Sequence, residues 1–150
     1  KENWQVSRSK PISLILGDVD FFKAYNDNYG HLAGDLCLQR IADAIQGALT
    51  SYEESTAYLA ARYGGEEFAI ILPDTELEQA MEIAEKIRLN IASQKIPHIG
   101  SAIASWITLS AGVSTCKARE DVSPETLILE ADRALYQAKR SGRDRVCSDT

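Results

Sequence analysis

Arg62-Tyr63-Gly64-Gly65-Glu66-Glu67-Phe68 lies between two apolar runs, Tyr58 to Ala61 before it and Phe68 to Leu72 after it. Two β-capable segments joined by adjacent glycines read as a hairpin, since Gly64 and Gly65 can take the positive φ values of a tight turn. Two carboxylates, Glu66 and Glu67, follow on a tip too short to bury them. The glycine pair leaves room for a bulky anion to approach the backbone, and the glutamates would repel that anion unless a divalent cation lay between. A metal–phosphate site and a plain solvated acidic hairpin both fit the stretch.

The chain of 150 residues suits a single domain, 1–150, with 45% apolar and 25% charged residues. No run approaches eighteen consecutive apolar residues and no secretory leader is evident, so a cytoplasmic domain is expected. The sequence opens abruptly, in what reads as the end of a helix, which suggests a piece of a longer protein carrying a regulatory domain; membrane attachment of that protein is left open. A net charge of −6 without a basic block argues against DNA or RNA partners. It does not exclude a nucleotide, whose phosphates a metal ion and a few local cations can hold. Cys37, Cys116 and Cys147 lack metal-ligand spacing and read as reduced thiols. His31 and His98 form no zinc motif, and His98 reads as a turn or packing residue.

Ile12 to Gly17 reads as a buried strand ending at Asp18-Val19-Asp20. The two aspartates would share a face if the chain stayed extended, whereas a turn would separate their roles. Phe21 and Phe22 then anchor a polar segment containing Lys23, Asn26, Asp27 and Gly30. Helical spacing of Leu38, Ile41, Ile45 and Leu49 predicts a helix from His31 to Leu49, with Asp35 near its start as dipole partner or ligand contact. Thr75 and Glu78 suggest a capping box for a second helix with a buried stripe of Ala80, Ala84, Ile87 and Ile91. Gln94 to Ala102 reads as a loop, and the alternation of Ile103 to Val113 predicts a strand. Ser123-Pro124 opens a last helix with Leu127, Ala131, Ala134 or Leu135, and Ala138 inward. Ser141-Gly142 ends it, and Arg143 to Cys147 adds a short edge strand. This order favours an α+β layer fold over a doubly wound sheet.

If the first strand ends beside the hairpin tip, Asp18 and Glu66 can share magnesium bound partly through substrate phosphates. Lys23 stands near the same strand end. Lys139 and Arg143, four residues apart across a helix terminus, could reach a triphosphate. Such a set would stabilise charge developing in phosphoryl or nucleotidyl transfer.

The chain resembles the GGDEF family of diguanylate cyclases. Gly64-Gly65-Glu66-Glu67-Phe68 matches the family signature in its GGEEF form. The likeness extends through Asp18-Val19-Asp20-Phe21-Phe22-Lys23, Asn26-Asp27, Gly30-His31 and Gly34-Asp35. It resumes at Thr108 to Gly112 and at Ala131-Asp132-Ala134-Leu135-Tyr136-Ala138-Lys139, then Gly142-Arg143. The resemblance implies a palm-like, ferredoxin-like core with a mainly antiparallel sheet. It also implies condensation of two GTP molecules into cyclic di-GMP with release of two pyrophosphates. By similarity Asp18, Glu66 and the Val19 carbonyl would ligate Mg2+, or Mn2+ in its place, with Glu67 assisting. Glu66, Asp18 and Glu67 would form the catalytic set, Gly64 and Gly65 would admit the phosphates, and Asn26 and Asp35 would recognise guanine. Lys23, Lys139 and Arg143 would hold terminal phosphates, and Asp20 would support. The reaction would need a second copy of the domain, each copy bringing one GTP.

Two departures from the family pattern stand out. The inhibitory product site written RxxD falls on Ser55 and Tyr58, so no such site is expected. The usual leading leucine-threonine-glycine-leucine segment is also missing from this sequence. A GTP-binding regulatory or partner-binding domain without turnover is the alternative reading, and another nucleotidyl transfer the third.

Overall fold

The computed structural model describes residues 10–117 and 123–149. Strand β1 (Pro11–Val19) leads to helices α1 (Phe22–Tyr29) and α2 (His31–Leu49). After a 3-10 turn at Glu53–Ala57 come β2 (Leu59–Arg62), β3 (Glu67–Pro73), α3 (Leu77–Ser93), β4 (Leu109–Lys117), α4 (Pro124–Arg140) and β5 (Val146–Ser148). The sheet order is β2-β3-β1-β4-β5, antiparallel except that β5 runs parallel to β4. This is the mostly antiparallel α+β core expected.

β1 is the central strand, which explains its nearly unbroken apolar run: both of its faces are covered. Ile15 turns towards α2 and α3, joining Phe68, Ile70, Leu72, Leu109, Ala111 and Val113 on one side. Leu14 and Leu16 turn the other way, onto Ala131 and Leu135 of α4. Each large side chain so buried contributes about 1.5–3 kcal/mol. α4 approaches β4 closely because Gly112 has no side chain: a Cβ there would lie 2.2 Å from the Leu135 nitrogen and 2.3 Å from the Ala131 carbonyl oxygen. The buried Ala131, Ala134 and Ala138 complete that contact.

Several expectations are corrected. The first strand continues two residues beyond Gly17, to Val19. The capping box is absent: Glu76 is the N-cap without a side-chain bond, and the Thr75 hydroxyl donates to the Pro73 carbonyl at 2.9 Å. Ser123 does cap α4, its Oγ accepting from the Thr126 amide at 3.2 Å. The late strand begins at Leu109 rather than Ile103, because the preceding residues fold back on Gln94–His98. Trp106 bridges Pro97, the Ile107 amide donates to the Ile96 carbonyl, and Ile103 stays 39% exposed. Trp106 carries Lys95 Nζ over its ring at 3.6 Å. The edge strand is Val146–Ser148, displaced from Arg143–Cys147. Phe22–Tyr29 is a helix where only a polar segment was expected.

Candidate active site

Two loops meet at the end of β1. On one side the hairpin closes as the Glu67 amide donates to the Gly64 carbonyl at 2.9 Å and the Tyr63 amide to the Glu67 carbonyl at 2.7 Å. Gly64 (φ 72°) and Gly65 (φ 50°) both take left-handed backbone conformations, and nothing lies within 4 Å of a Cβ placed on either. An open concavity of about 410 Å³ covers Tyr63 to Glu67. On the other side β1 runs into α1 through Asp20 and Phe21.

The register places Asp18 opposite Glu67, and the Val19 amide donates to the Glu66 carbonyl at 3.3 Å. Two distant sequence blocks thus bring Asp18, Glu66 and Glu67 to one end of the sheet. Burial pushes the Asp18 carboxyl above its usual value; the Lys139 ammonium opposes this and the Glu66 charge adds to it. Glu67 is likewise raised, by burial and then by the neighbouring Asp18 charge. Lys139 reaches from α4 and donates to Asp18 Oδ2, forming an ion pair that is mostly shielded on the aspartate side. A cation therefore already rests against this carboxylate group.

Asp20 is separated from that group by the turn. It is 1% exposed and accepts from Ser110 Oγ at 2.6 Å, Thr108 Oγ1 at 2.8 Å and the Asp144 amide at 3.1 Å. Its carboxyl is raised by burial, against these bonds and the Arg143 charge. All of its strong acceptor positions face protein donors, which suits a supporting role. Arg143 lies 3.7 Å from Asp20 Oδ1 and stacks 4.6 Å over the Phe21 ring.

Phe21 itself is left-handed (φ 56°), an uncommon state for a bulky residue and one that its surroundings must hold. His98 does so: its Nε2 lies 3.0 Å from the Phe21 carbonyl and donates to it, while the ring meets Tyr25 edge-on at 5.3 Å. His98 Nδ1 is buried with no hydrogen-bond partner among the described residues. The bracing role of His98 and the Thr108/Ser110 pair were not read from sequence. The two hydroxyls, spaced i and i+2 beside a buried strand, were the available signal.

The remaining expected residues are spread around this end of the sheet. Asn26 packs against α2 so closely that a Cβ on Gly34 would lie 1.8 Å from its Oδ1, which is buried without a partner among the described residues. Asp35 is exposed and lines a cleft of about 490 Å³ with Leu38, Arg62 and Phe68. Lys23 is not gathered in: its side chain is 92% exposed and pairs with Asp27 at 3.3 Å. Ser55 and Tyr58 lie at the 3-10 turn and carry no charge.

Among the described residues no three acidic, histidine or cysteine side chains converge closely enough to hold a metal by themselves. The donor chemistry nevertheless fits magnesium. It takes one or two carboxylates and fills its shell with water and substrate phosphates, and here adjacent hard-oxygen donors repel one another beside the Lys139 ammonium, with the Arg143 charge also felt at Asp18. No helix among the described residues is long and apolar enough to cross a membrane.

Residues 1–145 match the family model for the diguanylate cyclase GGDEF domain. Among curated proteins the chain is 39% identical to diguanylate cyclase A of Treponema denticola over 93% of its length and 35% of the relative's. It is 43% identical to diguanylate cyclase VdcA of Vibrio cholerae over 94% of its length and 40% of the relative's. It thus spans little more than a third of such relatives. The GGDEF domain of DgcB from Caulobacter crescentus, solved in complex with c-di-GMP, superposes with a TM-score of 0.81 at 30% identity, covering 98% of this chain and 84% of that one. The active GGEEF domain of a Vibrio cholerae diguanylate cyclase gives 0.78 at 36%, covering 92% and 82%. Matched along nearly all of its sequence and in its sheet and helices, the chain belongs to the GGDEF family of diguanylate cyclases.

Proposed function

We propose that the domain condenses two GTP molecules into cyclic di-GMP, two copies meeting with one nucleotide each. The observation that carries this reading is the placement of Asp18 opposite Glu67, with Glu66 beside them under an open glycine turn. Asp18, Glu66, Glu67 and the Val19 carbonyl would hold Mg2+ or Mn2+. When bound, the metal would offset phosphate charge and make the attacking 3′-hydroxyl more acidic.

The protein groups have separable tasks. The bare backbone of Gly64 and Gly65 admits phosphates over the hairpin. Asn26 and Asp35 present donor and acceptor groups to a purine edge, and the cleft beside Leu38 and Phe68 is large enough for a base. Lys139 leaves Asp18 for the phosphates when a nucleotide enters, and Arg143, already beside the β1 terminus, joins it. Lys23 can reach phosphate only by giving up Asp27. One ribose 3′-hydroxyl attacks the α-phosphorus held by the other copy, its proton passing to solvent as the new P–O bond forms and the bond to pyrophosphate breaks, and the second hydroxyl repeats the step to close the ring. Holding both nucleotides replaces the entropy cost of their encounter.

The test is product analysis after incubation with GTP and Mg2+ over a range of protein concentration. Cyclic di-GMP whose yield per protomer rises with concentration is expected. GTP binding without product would assign a regulatory module instead, and equal use of ATP would refute the roles given to Asn26 and Asp35.

A further inference from the structure

Beyond α4 the chain takes three consecutive residues at positive φ: Gly142 at 127°, Arg143 at 66° and Asp144 at 49°. Glycine does this freely, but Arg143 and Asp144 persist there only where their surroundings hold them. The backbone is tied at several points. The Arg143 amide donates to the Ala138 carbonyl at 2.9 Å, and the Asp144 amide reaches Asp20 Oδ2 and Ser110 Oγ, each at 3.1 Å. The Asp144 side chain, for its part, is anchored from α3. Arg88 Nη1 donates to Asp144 Oδ1 at 2.8 Å. Arg88 is itself fixed by Glu85, through Nε to Oε1 at 2.9 Å and Nη2 to Oε2 at 2.5 Å, and its side chain is only 16% exposed. A guanidinium fork held on two carboxylates is a rigid strut, unlike a solvated surface pair.

We infer that Arg88 is a positioning residue for the phosphate end of the site: through the Asp144 carboxylate it fixes the left-handed loop that aims Arg143 at the β1 terminus. The inference rests on the reading of Arg143 as a phosphate-holding cation. Without the Arg88 anchor the loop relaxes, and Arg143 leaves its place over Phe21 and beside Asp20. Among the described residues neither Asn26 nor Asp35, on the base-binding side, bonds to Arg88, Glu85, Arg143 or Asp144, and that side is left as it was.

The test titrates GTP and GMP, both with Mg2+, into the protein and into Arg88→Met, Asp144→Asn, their double variant and Arg143→Ala. Asparagine tolerates the left-handed region and keeps the amide bond to Asp20, so Asp144→Asn removes the ion pair alone. Each single variant at the strut should weaken GTP about fivefold to tenfold, and the double variant no further. GMP should lose much less, and Arg88→Lys should recover part of the GTP affinity. Equal losses for GMP and GTP would show a general structural effect and overturn the inference. So would wild-type GTP affinity in Asp144→Asn alongside weak binding by Arg143→Ala. Unchanged GTP binding by Arg143→Ala would instead sink the phosphate reading, and this inference with it. If Arg88→Met fails to fold, Asp144→Asn carries the comparison alone.

Discussion

Replacing Gly112 by alanine should damage the domain more than most single-methyl additions, and the cost can be worked from the contact it breaks. The new Cβ would lie 2.2 Å from the Leu135 nitrogen, 2.3 Å from the Ala131 carbonyl oxygen and 2.8 Å from the Ala134 carbonyl carbon. Ordinary contact begins near 3.4 Å. These are backbone atoms of α4, so no side-chain rotation relieves them, and the helix must lift by roughly 1 Å. A gap of that size forfeits a quarter to half of each dispersion contact under Ala131, Ala134, Leu135 and Ala138. Together with overpacking strain the loss should be about 2–4 kcal/mol. For a domain of this size that lowers the melting midpoint by about 4–16 °C. Gly47→Ala is the matched control. Its Cβ would meet only Asn90 Nδ2, at 3.6 Å, inside a helix, so it should gain about 0.5–1 kcal/mol. Thermal and urea unfolding of both variants decide the matter. A Gly112→Ala protein that melts with the wild type would refute the close helix-on-strand contact.

Further outcomes follow from other parts of the molecule. Glu66→Gln should keep the fold and lose nearly all turnover; near-normal cyclic di-GMP formation by the folded variant would remove Glu66 from the catalytic set. Ser123→Ala should cost about 1 kcal/mol by uncapping α4, whereas Glu78→Ala should be close to neutral because α3 has no capping box. Burial pushes the Cys37 thiol up to about 11 from an ordinary 9.0, so the neutral buried thiol adds stability that is complete below pH 9 and lost as pH climbs to 11. Alkaline unfolding of Cys37→Ala should therefore show a flatter slope across that window, and native Cys37 should resist alkylation at pH 8 until the protein unfolds.

Much of this architecture could be read from residue order. The run Ile12 to Gly17 is apolar because β1 is buried on both faces, and the stripe of α2 and the Ser123-Pro124 start of α4 have strong local causes. What escaped the reading depends on tertiary contacts. α1 contains Asn26, Asp27 and Asn28, poor helix formers, and is held by the packing of Phe22 and Tyr25 instead. Ile103 to Trp106 alternates like a strand but finds its neighbour in Pro97, not in the sheet. At the site, the meeting of Asp18 with the hairpin tip was legible, since each motif closes or opens a strand, but the residue expected beside it was Glu66 and the register sets Glu67 opposite. Asp20's donors were not legible, since Ser110 and Asp144 lie 90 and 124 residues away. The solvent-directed pose of Lys23 depends on Asp27 one turn later, a local competitor that motif matching does not weigh.

The central place of β1 also sets a timetable for the growing polypeptide. Its first partner, β3, is made about fifty residues later and its second, β4, about ninety later, while Asp20 must wait for Asp144 and Asp18 for Lys139. Such long-range closures are slow. On the ribosome the opening strand would emerge early and wait about fifty residues for β3, while Asp18 would lack Lys139 and Asp20 would lack Asp144 until the final tenth of the described residues had left the exit tunnel. A chain stopped short of Asp144 could form the helical layer yet never close the pocket around Asp20, so premature termination there should yield a body without a working nucleotide cradle.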